Sequence, residues 1–133
     1  MIEDAEKSPP YAQFLGIKVT HLSAERITAE LYVRPEFNNR HGIMHGGAIM
    51  SFADNLGGTA TTANLKPGQT TATIESKTNF FAGIPIGDTA TAECTPLHRG
   101  GRTMVWQTKI MRGDGKLAAI VTQTQMVLEP RAK

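Results

Sequence analysis

From residue 25 to residue 34 apolar and polar side chains alternate. Ile27, Ala29, Leu31 and Val33 fall on one face, and Arg26, Thr28, Glu30 and Tyr32 on the other. A period of two is the mark of a half-buried antiparallel strand. A shorter strand is read over 16–22, and before it a short helix over 11–15, with Ser8 as its cap and Pro9 and Pro10 in its first turn. Pro35 ends the alternating strand, and a polar loop through Arg40 leads into a different rhythm. Over 46–64, Ile49, Phe52, Ala53, Leu56, Ala60 and Ala63 recur at helical spacing, a stripe suited to lying on a sheet. Met50, Asp54, Gly57 and Thr61 form a second stripe beside it, read as turned away from the sheet. Gly57 and Gly58 each disfavour helix by about 1 kcal/mol relative to alanine, which points to the close approach of another backbone. Lys66-Pro67-Gly68 stops the helix.

From Thr70 the period is two again almost to the end, over 70–82, 87–97, 101–113 and 116–128, punctuated by Gly83, Gly87, Gly100-Gly101 and Asp114-Gly115. Short turns predict an antiparallel meander. In the third of these strands Met104, Trp106, Thr108 and Ile110 share a face opposite Thr103, Val105, Gln107 and Lys109, so part of the sheet is two-sided. Two strands, one long helix and four strands give an α+β fold: an antiparallel curved sheet wrapped around one central helix, the hot-dog architecture. Such a sheet leaves exposed edges, and one helix is too few to hide every apolar side chain. Both features favour the pairing of subunits.

With 133 residues, 40% of them hydrophobic and 20% charged, the chain is expected to form a single domain over 1–133, residues 1–10 being a flexible lead. A formal net charge of +2 is far from the dense basic stripes of nucleic-acid binders. No run approaches the ~20 apolar residues of a membrane span, and the N-terminus lacks the apolar stretch of a secretion signal. No nucleic-acid or membrane partner is therefore expected, and cytoplasmic residence is. The one cysteine, Cys94, alternates with Ala90 and Ala92 and reads as a buried small hydrophobe, with no disulfide possible within one chain. His21 reads as a surface residue.

Candidate chemistry is concentrated in residues 38–58. Gly46 and Gly47 stand at the start of the predicted helix, where backbone N–H groups lack intrahelical partners and sit at the positive end of the helix dipole. Such groups suit a developing oxyanion, and Asp54 can supply a base. At ~1.5 Å rise per residue Asp54 lies roughly 11 Å beyond the two glycines, too far to serve a carbonyl held by the first turn. A composite site in a homodimer resolves the distance, with Gly46 and Gly47 from one chain and Asp54 from the other. Blander readings stand beside this one: Asp54 as a solvated helix residue, the glycines as a tight turn using positive φ, and Asn39 as a loop residue. His41 and His45 are four residues apart, but they precede the helix and lack the acid of His-Glu-x-x-His, so no metal is expected. The turn His98-Arg99-Gly100-Gly101-Arg102 reads either as a solvated hairpin or as a phosphate contact, since guanidinium pairs with phosphate bidentately.

The pattern Asn39-x-x-Gly42-x-x-His45-Gly46-Gly47, with Asp54 seven residues after Gly47, resembles that of hot-dog acyl-CoA thioesterases of the phenylacetate-pathway (PaaI) type. The resemblance runs from Phe14-Leu15-Gly16 to Asn79-Phe80-Phe81 and Gly87-Asp88. It implies that Gly46, and with it Gly47, presents N–H to the thioester carbonyl, and that Asp54 of the partner acts as general base on water or as nucleophile. It further implies that Asn39 orients the water or the thioester, that His45 supports the loop and the thioester region, and that Thr73 positions the water or the carboxylate. Coenzyme A would be part of the substrate, with no separate cofactor, and Arg102, then His98 and Arg99, would touch its phosphates. A dimer is required on this reading, and relatives often pair dimers into tetramers. The rival readings are a hot-dog hydratase or dehydratase acting on acyl thioesters, using His45 with Asp54, and a non-catalytic acyl-CoA-binding protein. The acyl group itself is not specified by the sequence.

Overall fold

The computed structural model describes residues 1–131. Helices α1 (Ile2–Ala5) and α2 (Pro10–Leu15) precede strands β1 (Lys18–Leu22) and β2 (Ile27–Tyr32). A 3-10 turn at Pro35–Phe37 leads to the long helix α3 (Gly46–Ala63), followed by β3 (Thr70–Phe80), β4 (Thr89–Arg99), β5 (Thr103–Met111) and β6 (Leu117–Leu128). The six strands form one antiparallel sheet in the order β1-β2-β4-β5-β6-β3.

α3 lies across the inner face of this sheet on the predicted stripe: Ile49, Phe52, Ala53, Leu56 and Ala60 are buried against Ile27, Leu31, Trp106 and Val121. Burying Phe52 and Leu56 is worth about 1.5–3 kcal/mol each, which outweighs the helix penalty of about 1 kcal/mol at each of Gly57 and Gly58. The Trp106 indole N–H donates to Thr61 Oγ1 at 2.8 Å, and that hydroxyl donates to Gly57 O at 2.9 Å, so the helix is also pinned by a buried polar pair.

The second stripe does not turn away from the sheet. Gly57 and Thr61 are buried, and only Met50 and Asp54 keep exposure. Within the described residues, what comes nearest to Gly57 is a side chain and not a backbone. A Cβ at Gly57 would stand 2.2 Å from the Gln123 side chain, whereas one at Gly58 would meet nothing within 4 Å.

The predicted meander holds for β4, β5 and β6 but not for β3, which pairs with β6 from Thr70↔Leu128 to Phe80↔Ala119 and forms the far edge. Residues 81–88 are a crossing, not a hairpin turn. Ile84 is fully buried, its carbonyl accepts from Met44 N–H at 2.8 Å, and Gly87 N–H donates to Val33 O at 2.7 Å. A register shift between Thr73 and Glu75 marks a bulge in β3, with Ile74 as the extra, exposed residue. The bulge exchanges the strand's faces, so Thr71 and Thr73 point inward before it and Ser76 and Thr78 after it.

The N-terminal lead, expected to be flexible, carries α1, which buries Ala5. α2 forms where predicted, but its cap is Pro9 and not Ser8, whose carbonyl instead accepts from Gln13 Nε2 at 2.7 Å. No helix among the described residues is long and apolar enough to cross a membrane. His21 is exposed, as expected.

Cys94 is fully buried on β4. Burial pushes its thiol from the usual 9.0 up to about 11, against a smaller downward pull from its hydrogen bond with Thr108. The folded thiol keeps its proton to higher pH than the unfolded one, so it has no effect on stability below about pH 9 and destabilises as pH rises from 9 towards 11. Urea titrations should show wild type losing stability across that window by about 2–3 kcal/mol more than Cys94→Ala does. Equal losses in the two proteins would show that the thiol is not so shifted.

Candidate active site

The mouth of α3 is built by the loop before it. His45 is the N-cap, and its ring Nδ1 accepts the Gly47 N–H at 2.8 Å. Its carbonyl accepts from Ala48 N–H at 2.9 Å and Ile49 N–H at 3.2 Å. The Gly47 amide is therefore already taken, which corrects the expectation that both glycines offer an amide to an oxyanion. Among the described residues the Gly46 N–H has no acceptor. Neither glycine uses positive φ. What both positions lack is room: a Cβ at Gly46 would lie 3.2 Å from Phe80 Cζ, and one at Gly47 would lie 3.1 Å from His45 Nδ1.

Gly46 opens onto a cleft of about 370 Å³ walled by Ile43, Met44, Ile49, Phe80 and Phe81, with Asn39 at its polar side. The Asn39 side-chain oxygen accepts from His41 N–H at 2.6 Å and Ile43 N–H at 3.4 Å, so the loop reading of this residue holds for that atom. Its Nδ2 amide has no protein partner among the described residues, and Asn39 is one of the residues lining the same cleft as Gly46.

Asp54, midway along α3, reaches onto the sheet. Its Oδ1 accepts from Thr73 Oγ1 at 3.0 Å and from Gln123 Nε2 at 2.8 Å, while its Oδ2 has no donor among the described residues. Behind Thr73 the donors line up in one sense. Thr73 gives its only hydrogen to Asp54, so it accepts from Gln125 Nε2 at 2.5 Å, and Thr71 Oγ1 lies 2.9 Å from Gln125 Oε1. Gln123 and Gln125 are each 1% exposed. The sequence reading missed both. Their signal is the inward register of β6, where Val121, Gln123, Gln125 and Val127 alternate with outward residues and place two amides on an otherwise apolar face.

The Asp54 side opens to a second cleft of about 350 Å³, bordered by Asp4, Lys7, Asn55, Gly58 and Thr71. Within one chain, then, the structure brings Thr73 to Asp54, and Asn39 and His45 to Gly46, but it does not bring Asp54 to Gly46. The two lie in separate clefts, about 12 Å apart along the helix axis.

The turn carrying His98, Arg99 and Arg102 joins β4 to β5 at the opposite end of α3 from Gly46. Arg99 is tied into the fold. Its Nη1 donates to Ala24 O at 3.3 Å and to Asn64 Oδ1 at 3.4 Å and stands 3.8 Å from Glu25. The His98 ring folds back over its own turn, where a Cβ at Gly100 would be 2.5 Å from its Nε2. Arg102 makes no ion pair among the described residues. A larger depression of about 480 Å³ lies on the opposite face of the sheet among Arg26, Glu30, Glu93 and Lys109, but there Arg26 and Glu93 pair with each other at 2.7 Å and no unpaired amide faces them.

Comparison with known proteins bears on this arrangement. The family model of the thioesterase superfamily matches residues 41–119, a span that contains the α3 mouth, Asp54 and Thr73. A Saccharolobus solfataricus protein named "Putative esterase SSO2140" is 33% identical over 96% of this chain and 90% of its own length. The 1,4-dihydroxy-2-naphthoyl-CoA hydrolase of Escherichia coli K12 is 28% identical over 86% of this chain and 84% of its own. The solved structure of the Escherichia coli PaaI protein superposes with a TM-score of 0.87 over 98% of this chain and 93% of its own, at 21% identity, and so bears on the fold. With a family model spanning the helix mouth and its carboxylate, and a relative one-third identical across nearly the whole chain, this protein belongs to the thioesterase superfamily and is a hot-dog hydrolase of thioesters.

Proposed function

We propose that the chain hydrolyses acyl-CoA thioesters at a composite site formed by two copies, with the Gly46 amide of one protomer and Asp54 of the other. The observation that carries this reading is the pairing of two unfilled valences in separate clefts: a helix-start N–H without an acceptor, and a carboxylate oxygen without a donor. The thioester carbonyl accepts from Gly46 N–H, with Asn39, which lines the same cleft and whose Nδ2 has no protein partner among the described residues, as the second donor. Water attacks the carbonyl carbon while Asp54 Oδ2 takes its proton. The tetrahedral oxyanion sits at the dipole end of α3 and collapses by breaking the C–S bond. The thiolate of coenzyme A leaves and takes up the proton, and the acid is released.

Coenzyme A as the leaving group is supported by the name of the Escherichia coli relative, a CoA-thioester hydrolase. Of the three residues at the β4–β5 turn, Arg102 is the one available for its phosphates, because Arg99 is held by Ala24, Asn64 and Glu25. Pairing of two copies is favoured by β3, an eleven-residue edge strand bearing Ile74 at 56% exposure, and by Phe80 and Phe81, more than half exposed beside the Gly46 cleft. The apolar walls of that cleft, Ile43, Met44, Ile49 and the two phenylalanines, suit an uncharged acyl group.

Asp54→Ala should lower kcat by roughly a thousandfold with KM within about twofold of wild type, because its proton transfer belongs to the transition state. A thiol-release assay over an acyl-CoA panel measures both constants, and near-normal turnover would reject the assignment.

Gly46→Pro removes the N–H at a first helical position whose backbone suits proline, after a residue already extended at φ −59° and ψ 138°, and Gly46→Ala, which meets the same Phe80 ring but keeps the N–H, is its control. The proline variant should lower kcat about 100- to 1,000-fold relative to that control. Refolding inactive Asp54→Ala chains with inactive Gly46→Pro chains should then restore about a quarter of wild-type activity, because half the dimers are mixed and each mixed dimer carries one intact site of two. A site complete within one chain would show no recovery.

A further inference from the structure

Asp54 is held by more than its neighbour Thr73, and we propose that Gln123 is a positioning residue for its carboxylate, working in a slot that exists only because residue 57 is glycine. The proposal rests on Asp54 being the base.

Gln123 comes from β6, on the sheet beneath α3, and is 1% exposed. Its carboxamide pushes into the helix: an added Cβ at Gly57 would lie 2.2 Å from Oε1, 2.5 Å from Cδ and 2.8 Å from Nε2. A methyl there would meet the carboxamide head itself, so it could be accommodated only by moving that head out of the slot. From that slot Nε2 donates to Asp54 Oδ1 at 2.8 Å and lies 3.3 Å from both the Asp54 carbonyl oxygen and Thr73 Oγ1.

The other end of the amide fixes its sense. Gln123 Oε1 is buried with no hydrogen-bond partner. Turning the amide over would set that oxygen against the Asp54 carboxylate and point the donors at the place where Oε1 now lies. The side chain therefore keeps one atom unsatisfied to present a donor to the carboxylate. A residue present only to fill space beneath a helix has no need of an amide, and an apolar side chain of the same length would leave nothing unsatisfied.

Both donors, Gln123 and Thr73, land on the same oxygen. That fixes the plane of the carboxylate and leaves Oδ2, with its lone pairs free, as the atom that meets water. Without Gln123 the carboxylate keeps a single donor, on a threonine that can rotate, and Asp54 is free to turn about χ1 and χ2. Substrate binding at the Gly46 mouth of the partner is not touched by this change, so the loss falls on turnover.

Three variants decide it, assayed as the full chain with thiol release, with oligomeric state and urea midpoint measured alongside. Gln123→Met keeps the length and burial without the donor, and should lower kcat about 10- to 100-fold with KM within about twofold. Gly57→Ala leaves Gln123 in the sequence but evicts its carboxamide, and should reproduce the same loss. The double variant Gly57→Ala/Gln123→Ala relieves the clash by exchanging sizes, so its urea midpoint should recover above that of Gly57→Ala while its kcat stays low. Recovery of kcat together with the midpoint would show that Gln123 only fills space and would overturn the proposal. So would wild-type kcat in Gln123→Met. Near-normal turnover in Asp54→Ala would instead remove the reading on which the proposal rests, and low Asp54→Ala turnover with unimpaired Gln123→Met would sink the role of Gln123 alone.

Discussion

The direction of one carboxylate, that of Asp54 on α3, is set by donors from the sheet, and much of the local structure follows from that constraint. Asp54 itself is exposed while its neighbours Ala53 and Leu56 on α3 are buried, so the donors serve to fix its direction rather than to offset a buried charge. Its donors come from two neighbouring strands, Thr73 on β3 and Gln123 on β6. Thr73 faces inward only up to the bulge at Ile74, beyond which β3 turns its even-numbered residues to the core. Gln123 reaches the carboxylate only through the space that Gly57 leaves. Stability alone does not favour this solution: glycine within a helix costs about 1 kcal/mol against alanine and the buried, unpartnered Gln123 Oε1 about 1–3 kcal/mol, which together offset the about 1.5–3 kcal/mol of one hydrogen bond to a charged group.

The mouth of α3 is organised by the opposite device, which is to satisfy every amide but one. His45 takes the Gly47 N–H on its ring and the next two on its carbonyl, while its own N–H is held by Phe37 O at 2.7 Å and that of Met44 by Ile84 O at 2.8 Å. The loop is thus fixed from both sides, by the turn before it and by the crossing of residues 81–88 beneath it. A donor that is already rigid needs no reorganisation when charge develops next to it, which is the condition under which a single amide contributes most to a transition state.

Much of this was legible in the sequence wherever one local rule governed the outcome. The alternation of Ile27, Ala29, Leu31 and Val33 and the stripe from Ile49 to Ala60 reappear as the buried faces of β2 and α3, because burial of one face is all that such periods encode. The separation of Asp54 from Gly46 followed from the helix rise, and Thr73, named by the family resemblance, donates to Asp54 Oδ1 at 3.0 Å. What failed to show was long-range. Nothing local tells β3 to pair with β6 rather than β4, since glycines at 83 and 87 bound a hairpin and a crossing equally well; the buried Ile84 between them decides it. The engagement of Arg99 with Asn64 and Ala24 depends on a contact between distant segments, as does the exclusion of a methyl at Gly57 by Gln123. Two misses are local, Pro9 in place of Ser8 as the cap of α2 and the His45 ring on the Gly47 amide, the latter because histidine is not among the residue types that usually cap a helix through the side chain.

The two halves of the candidate site also bear on why a chain of this design would work in pairs. α3 keeps one stripe on the sheet from Ile49 to Ala60, so no bend brings its ninth residue back to its first. Moving the carboxylate to the first turn would place it beside the His45 ring and the unpaired Gly46 amide, which would then donate to the carboxylate and be lost to substrate. Separation along the helix protects each group from the other. In the proposed dimer a two-fold axis reunites them, and because such a contact is isologous, each docking event that brings one Asp54 to one Gly46 brings the second pair together as well. The exposed edge of β3 carries Thr73 on its inner face and leads directly to Phe80, which packs against Gly46. Pairing along that edge would act on base and amide mouth through a single strand.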